Sequence, residues 1–102
     1  MTNPRTGRRH LVSRDEAVMV LRRRPVGLAD RGGHYPREAV EQILAQDGCA
    51  GLRFYFGTNP DGSLAVVFVG IDESERDMTG GVVLKDHFPC PPFCDATSTL
   101  LL

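Results

Sequence analysis

The sequence predicts an α+β protein, with two helices packed on one face of a small, mostly antiparallel three-stranded sheet and a C-terminal turn rich in cysteine and proline. Apolar residues recur at helical spacing before residue 50, whereas after it they alternate with polar residues or run together. The turn-forming segment TNPDGS separates two of these later apolar runs. A chain of 102 residues is the length of one domain. We therefore expect a disordered tail over residues 1–10 and a single α+β domain over residues 11–102.

The first helix is predicted to begin after Ser13. Ser13 and Glu16 have the spacing of a capping box, in which each side chain satisfies a free amide of the first turn. Arg22–Arg24 suit the negative end of the helix dipole. Pro25 stops the helix, because proline disfavours helical geometry in the residue before it.

A second helix is predicted to begin at Pro36, since proline suits a first helical position whose N–H has no partner inside the helix. Gly48 is a natural left-handed cap at its other end. The apolar residues between them recur at helical spacing and form one stripe: Ala39, Val40, Ile43 and Leu44.

A β-hairpin is predicted over residues 51–72. Its first strand alternates, with Leu52, Phe54 and Phe56 on one face and Arg53 and Tyr55 on the other. Its second strand, LAVVFVGID, is almost entirely apolar and β-branched, which indicates a central strand covered on both faces.

A third strand is predicted over residues 82–88, in VVLKDHF, but its direction is open. If it runs antiparallel to the second strand of the hairpin, it ends near the hairpin tip, and Cys49 lies about 20 Å away at about 3.3 Å per residue. If the loop over residues 72–81 carries the chain across instead, the strand runs the other way and the cysteines can meet.

Composition limits the class of protein. Apolar residues make up 41% and charged residues 25%, as in ordinary globular proteins, and no apolar run approaches the roughly 18 residues of a membrane helix. The basic N-terminal segment has no apolar stretch behind it, so no secretory signal is predicted. Three cysteines are an odd number for a disulfide framework. We expect a cytoplasmic protein with no membrane partner.

The charge is unevenly distributed. Residues 1–53 hold ten arginines against six acidic residues, and residues 54–102 hold two basic residues against seven acidic ones. An anionic partner would explain such a bias. However, no aromatic residue is interleaved with the arginine-rich stretch, so stacking on bases is not indicated. We expect a protein partner rather than a nucleic acid.

The stretch HFPCPPFC holds the candidate site. His87, Cys90 and Cys94 are three residues of the types that bind zinc, and Cys49 is a possible fourth ligand. Alternatively, Cys90 and Cys94 form a redox pair, or the stretch is a proline-stiffened turn with partly buried thiols. Zinc is the only cofactor that the sequence suggests. Arg53 and Tyr55 are a second candidate, a binding surface on the outer face of the hairpin.

Three segments carry a resemblance to known proteins: YPREAVEQILAQDGCAGLRFYFG, VVFVGIDESERDM and CPPFC. They resemble a set of small uncharacterised bacterial proteins that share L-x-Q-x-G-C-x-G-[LI]-R-x-Y-x-G, then V-G-x-[DN], then C-P-P-x-C. The resemblance covers about residues 34–95. It implies that Cys49, Cys90 and Cys94 form a set to which His87 does not belong, and it implies no reaction.

No P-loop, G-x-S-x-G or H-E-x-x-H motif is present in the sequence. We therefore expect a non-enzymatic binding or adaptor module, with a structural zinc site on the C-terminal cysteines as one form of it. The alternative is a thiol-dependent redox sensor or enzyme that uses Cys90 and Cys94.

Overall fold

A computed structural model describes residues 10–101. The chain divides into two compact units. The larger unit is Asp30–Phe93, and the described part of the smaller one combines residues 10–29 with residues 94–101. Of the tail predicted over residues 1–10, residues 1–9 lie outside the described part of the chain.

The smaller unit contains helix α1, Arg14–Leu21, and a 3-10 turn, Thr99–Leu101, that pack against each other. The Ser13 hydroxyl accepts a hydrogen bond of 3.1 Å from the Glu16 amide, which is the N-terminal cap that the sequence predicted. The helix ends earlier than expected, because Arg22 is its C-cap and the other arginines follow it.

The larger unit is built on the β-hairpin. Strands β2, Gly51–Thr58, and β3, Leu64–Ile71, pair antiparallel along their whole length, so the predicted hairpin is confirmed. Strand β4, Val83–Leu84, pairs antiparallel with the other side of β3, which makes β3 the central strand of a sheet with the order β2-β3-β4. This pairing settles the direction that the sequence left open.

The third strand is much shorter than predicted. Only Val83 and Leu84 of the segment 82–88 pair with β3. Asp86 adopts a positive φ of 59°, a conformation that few residues other than glycine adopt, and it ends the extended run. The chain then forms strand β5, Phe88–Cys90, which pairs antiparallel with strand β1, Gly32–His34, in a second sheet that the sequence did not predict.

Helix α2, Arg37–Leu44, packs against β2 and β3. Pro36 is its N-cap rather than its first helical residue, and Gly48 has the predicted left-handed conformation in the turn after the helix. Ile43 is completely buried at the contact between α2 and these strands, and Ala65 and Val69 are buried on the opposite face of β3. The α+β class is therefore confirmed, with two helices and two small antiparallel sheets in the described part of the chain.

Candidate functional site

The two C-terminal cysteines are both disulfide-bonded. Cys49 is free, whereas Cys90 and Cys94 are not. The Cys90–Pro91 and Pro91–Pro92 peptide bonds between them are cis. The Cys90 carbonyl accepts a hydrogen bond of 2.6 Å from the Arg31 amide, which extends the pairing of β5 with β1. In this state neither sulfur is a thiolate, the form that binds a metal or acts as a nucleophile.

Cys49 lies at the base of the hairpin, between α2 and β2. Its half-buried thiol donates to the Gly51 carbonyl at 3.3 Å. A Cβ placed on Gly70 would lie 3.1 Å from the Cys49 sulfur, so this sulfur packs against the middle strand of the sheet. Cys49 is therefore a small packing residue of the hairpin base.

His87 packs on the backbone of β1. A side chain on Gly33 would overlap the His87 ring, and the ring centre lies 6.4 Å from that of Tyr35. Across residues 10–101, no three His, Cys, Asp or Glu side chains are grouped so that they could hold a metal ion. The four predicted ligands, Cys49, His87, Cys90 and Cys94, are consequently not assembled into one site. The physical reason is that β4 runs toward the hairpin tip, away from Cys49 at its base.

Arg53 and Tyr55 share a face of β2, as predicted, but both are engaged by one carboxylate. Arg53 Nη1 lies 2.7 Å from Asp77 Oδ1, and the Tyr55 hydroxyl donates to Asp77 Oδ2 at 2.5 Å. Arg53 also donates to the Glu75 carbonyl at 3.1 Å. The sequence did not predict this cluster, because Asp77 lies in a polar loop more than twenty positions further along the chain.

The pKa values of the cluster follow from these contacts. The hydrogen bond from Tyr55, and then the hydrogen bond and charge of Arg53, lower the pKa of Asp77. The hydrogen bond to Asp77 in turn raises the pKa of Tyr55 and that of Arg53. The three groups thus hold each other in their ordinary ionisation states at neutral pH, an arrangement that ties the loop to the strand rather than preparing a proton donor or acceptor.

An exposed apolar face lies on the opposite side of β2, and the sequence did not predict it. Phe56 is 70% exposed and Phe54 is 54% exposed. Their rings are 5.6 Å apart, and Phe54 also lies 5.7 Å from Phe68 of β3. The Tyr35 ring lies edge-on to that of Phe68 at 5.2 Å, and its hydroxyl donates to the Val66 carbonyl at 2.8 Å.

The length of α2 explains why these rings remain exposed. A Cβ on Gly70 would meet Ile43 of α2 at 3.2 Å, so the helix covers the face that carries Gly70 and its partner Leu52. Eight helical residues extend about 12 Å, whereas eight strand residues extend about 26 Å. The helix can therefore cover only the base of the hairpin. The predicted second helix is shorter in extent than the predicted strands. That difference could have indicated that part of the hairpin stays uncovered.

The backbone of β2 is also available on its outer side, because β2 is an edge strand in the part of the chain that the structure describes. In an antiparallel pair, residues that bond to the neighbouring strand alternate with residues whose N–H and C=O groups point away. Asn59 and Ser63 continue the register of the hairpin, and the Asn59 amide donates to the Ser63 carbonyl at 2.8 Å. Since bonded and non-bonded pairs alternate, the odd-numbered residues of β2 direct their N–H and C=O groups toward β3. The outward groups belong to the even-numbered residues, Leu52, Phe54, Phe56 and Thr58. The three apolar ones, Leu52, Phe54 and Phe56, with their outward backbone groups, are called the β2 edge below.

Comparisons with known proteins add no relative. No family model matches the sequence, and neither a curated protein nor a solved structure matches it. The resemblance described above therefore stays a prediction. Within residues 10–101, no helix is both long enough and apolar enough to cross a membrane.

Proposed function

We propose that this chain is a non-enzymatic protein-binding module whose binding surface is the β2 edge. One observation supports the proposal most strongly. In the described part of the chain, Leu52, Phe54 and Phe56 present both exposed apolar side chains and unpaired backbone groups. An extended segment of a partner protein that adds to a sheet edge uses both, the backbone for affinity and the alternating side chains for specificity.

The apolar side chains supply enough free energy for such binding. Full burial of a phenylalanine side chain contributes about 1.5–3 kcal/mol. Scaled by the exposed fractions of Phe54 and Phe56, the two together contribute about 2–4 kcal/mol. Backbone hydrogen bonds at the edge add about 0.5–1.5 kcal/mol each. These terms support specific but reversible association.

The opposite face of β2 supports the non-enzymatic part of the proposal. The guanidinium of Arg53 and the hydroxyl of Tyr55 are both committed to Asp77, so this face offers an internally neutralised cluster. The proposed partner is a protein, and the proposed compartment is the cytoplasm. Zinc is no longer part of the proposal, because the predicted ligands are not brought together.

Photocrosslinking from the β2 edge tests the proposal. A benzoylphenylalanine at position 56 should capture one discrete partner in the cells that make the protein. The matched control is the same group at Val83, which is 49% exposed on the opposite edge of the sheet. The captured protein, once purified, should bind the chain at least about tenfold more weakly when Phe56→Asp is introduced. Equal capture from both positions, or none from position 56, would contradict the proposal.

A second candidate function is a thiol-dependent redox sensor, and the disulfide-bonded state of Cys90 and Cys94 favours it. Disulfides of cytosolic proteins in mesophiles are usually catalytic or redox-sensing. Reversible oxidation would convert two thiols to one disulfide, with two electrons and two protons passing to a cellular disulfide such as oxidised glutathione. Intact mass spectrometry of protein made in the cytoplasm, with and without reductant, tests this candidate. A loss of two hydrogens that reductant reverses supports it, and an unchanged dithiol mass under oxidised glutathione rejects it.

A further inference from the structure

We propose that the partner at the β2 edge is a second copy of this chain. The two β2 strands pair antiparallel about a two-fold axis at Phe54, which joins two three-stranded sheets into one. This inference rests on the proposed function and deepens it by naming the occupant of the edge.

The backbone pattern permits this pairing. In the arrangement centred on Phe54, Phe54 faces its own counterpart, and Leu52 faces the partner's Phe56. All these residues direct their N–H and C=O groups outward, so each facing pair exchanges two hydrogen bonds, about six in all. If the register were shifted by one residue, the outward groups of one copy would face residues whose groups point toward their own β3. These hydrogen bonds would then not form.

In the same register, the side chains of one copy are complementary to those of the other copy. Residues that face each other across an antiparallel pair lie on the same face of the sheet. The exposed Phe54 rings therefore meet each other, and each exposed Phe56 meets a Leu52 that is 39% exposed. On the opposite face, Arg53 lies across from the partner's Tyr55 rather than from a second Arg53.

Charge does not oppose the approach of two copies. Natural edge strands avoid self-pairing mainly by carrying lysine, other charges or proline. Across Gly51–Thr58 the one formally charged residue is Arg53, and its charge is neutralised by Asp77 at 2.7 Å. The strand thus lacks the usual protection against pairing with its own copy. A second β2 strand also supplies the apolar side chains and outward backbone groups that this edge requires of a partner.

The exposed area sets the expected strength. A fully buried aromatic side chain covers about 150–250 Å², so the exposed parts of Phe54 and Phe56, with Leu52 and the strand backbone, give about 400–500 Å² per copy. A standard interface buries about 800 Å² per partner. The dimer should accordingly be weak and reversible, with a dissociation constant on the order of 10–100 μM.

Sedimentation velocity over a range of protein concentrations tests the inference. The wild-type chain should change from monomer to dimer between about 1 μM and 1 mM. Phe56→Lys and Leu52→Glu, each alone, should weaken the dimer at least about tenfold, because each buries an unpaired charge. Val83→Lys, on the other edge of the sheet, should leave the dissociation constant unchanged.

Mixing the two charged variants tests the register and controls for misfolding. In the mixed dimer the introduced carboxylate faces the introduced ammonium group, while Phe56 of one variant still faces Leu52 of the other. The mixture should therefore dimerise more tightly than either variant alone, which misfolded chains could not do. A wild-type chain that stays monomeric at 1 mM, or a mixture that stays as weak as its components, overturns the inference.

The photocrosslinking described above separates failure of this inference from failure of the proposed function. An adduct at about twice the chain mass of 11.2 kDa is a second copy and supports both. An adduct with a different protein that depends on Phe56, with a monomeric chain, keeps the proposed function and removes the second copy. No adduct and no dimer removes both.

Discussion

Replacing Ile43 with alanine should remove a large part of the stability of the larger unit. Ile43 is completely buried at the contact between α2 and the hairpin, and its Cγ2 atom is the neighbour of Gly70. The substitution deletes three methyl or methylene groups, worth about 0.8 kcal/mol each in transfer free energy, and it leaves a cavity. We expect the free energy of unfolding to fall by about 3 kcal/mol, within the 2–5 kcal/mol seen for such changes.

The neighbouring residue supplies the control. Leu44 is in the same helix but is 50% exposed, so Leu44→Ala loses about half of the transfer term and opens no closed cavity. That variant should lose about 1 kcal/mol. Both substitutions introduce the same residue into the same helix, and the difference between them therefore reports burial rather than helix propensity.

Urea unfolding followed by circular dichroism measures both variants. With a slope of about 1–3 kcal/mol per molar urea for a small protein, Ile43→Ala should lower the midpoint by about 1–3 M and Leu44→Ala by a third of that. If the two variants lose equal stability, or if Ile43→Ala loses less than about 1 kcal/mol, then α2 is not anchored to the sheet through Ile43 and the account of the core is wrong.

Three further predictions concern contacts of the hairpin. Gly70→Ala should lower the urea midpoint by an amount equivalent to about 1–3 kcal/mol, because the added methyl group would press on side chains 3.0–3.2 Å away. Tyr35→Phe should cost about 1 kcal/mol in the same assay, since it leaves the partly buried Val66 carbonyl without its 2.8 Å donor. Asp77→Asn should destabilise the protein at pH 7, and the difference from wild type should shrink as the pH falls. The lowered pKa of Asp77, caused first by the Tyr55 hydrogen bond, means that its stabilisation is present above the ordinary carboxyl pKa and is lost as pH falls through the lowered one. Thermal melts between pH 7 and pH 3 measure this, and a difference that is independent of pH would show that the carboxylate charge does not contribute.

The hairpin was predictable because its signals are local. Alternation in β2, the apolar run of β3 and the turn residues between them all lie within about twenty residues, and each agrees with the others. The caps of the helices are local in the same sense, and Ser13 acts as the sequence indicated. The ribbon of β1 and β5 has no such signal, because each strand is three residues long and the pairing joins residues more than fifty positions apart.

The candidate site was predicted less well, for a related reason. Whether Cys49 could reach Cys90 and Cys94 depended on the direction of a strand that proved to be two residues long. Whether Arg53 and Tyr55 were available to a partner depended on Asp77, a residue of the loop that follows β3. Residue types and spacings along the chain identify candidate groups, but they do not show which groups a distant loop will occupy.

The small core and the exposed edge have one cause. Helix α2 is about half as long as the strands it packs on, so it buries Ile43 and Gly70 at the hairpin base and leaves Phe54 and Phe56 uncovered toward the tip. Lengthening the helix would bury more apolar area but would also cover the face next to the free backbone groups of β2. A longer helix would thus increase the stability of the isolated chain at the expense of the surface that we propose binds the second copy. The limited core is therefore consistent with a protein that completes its apolar packing through association.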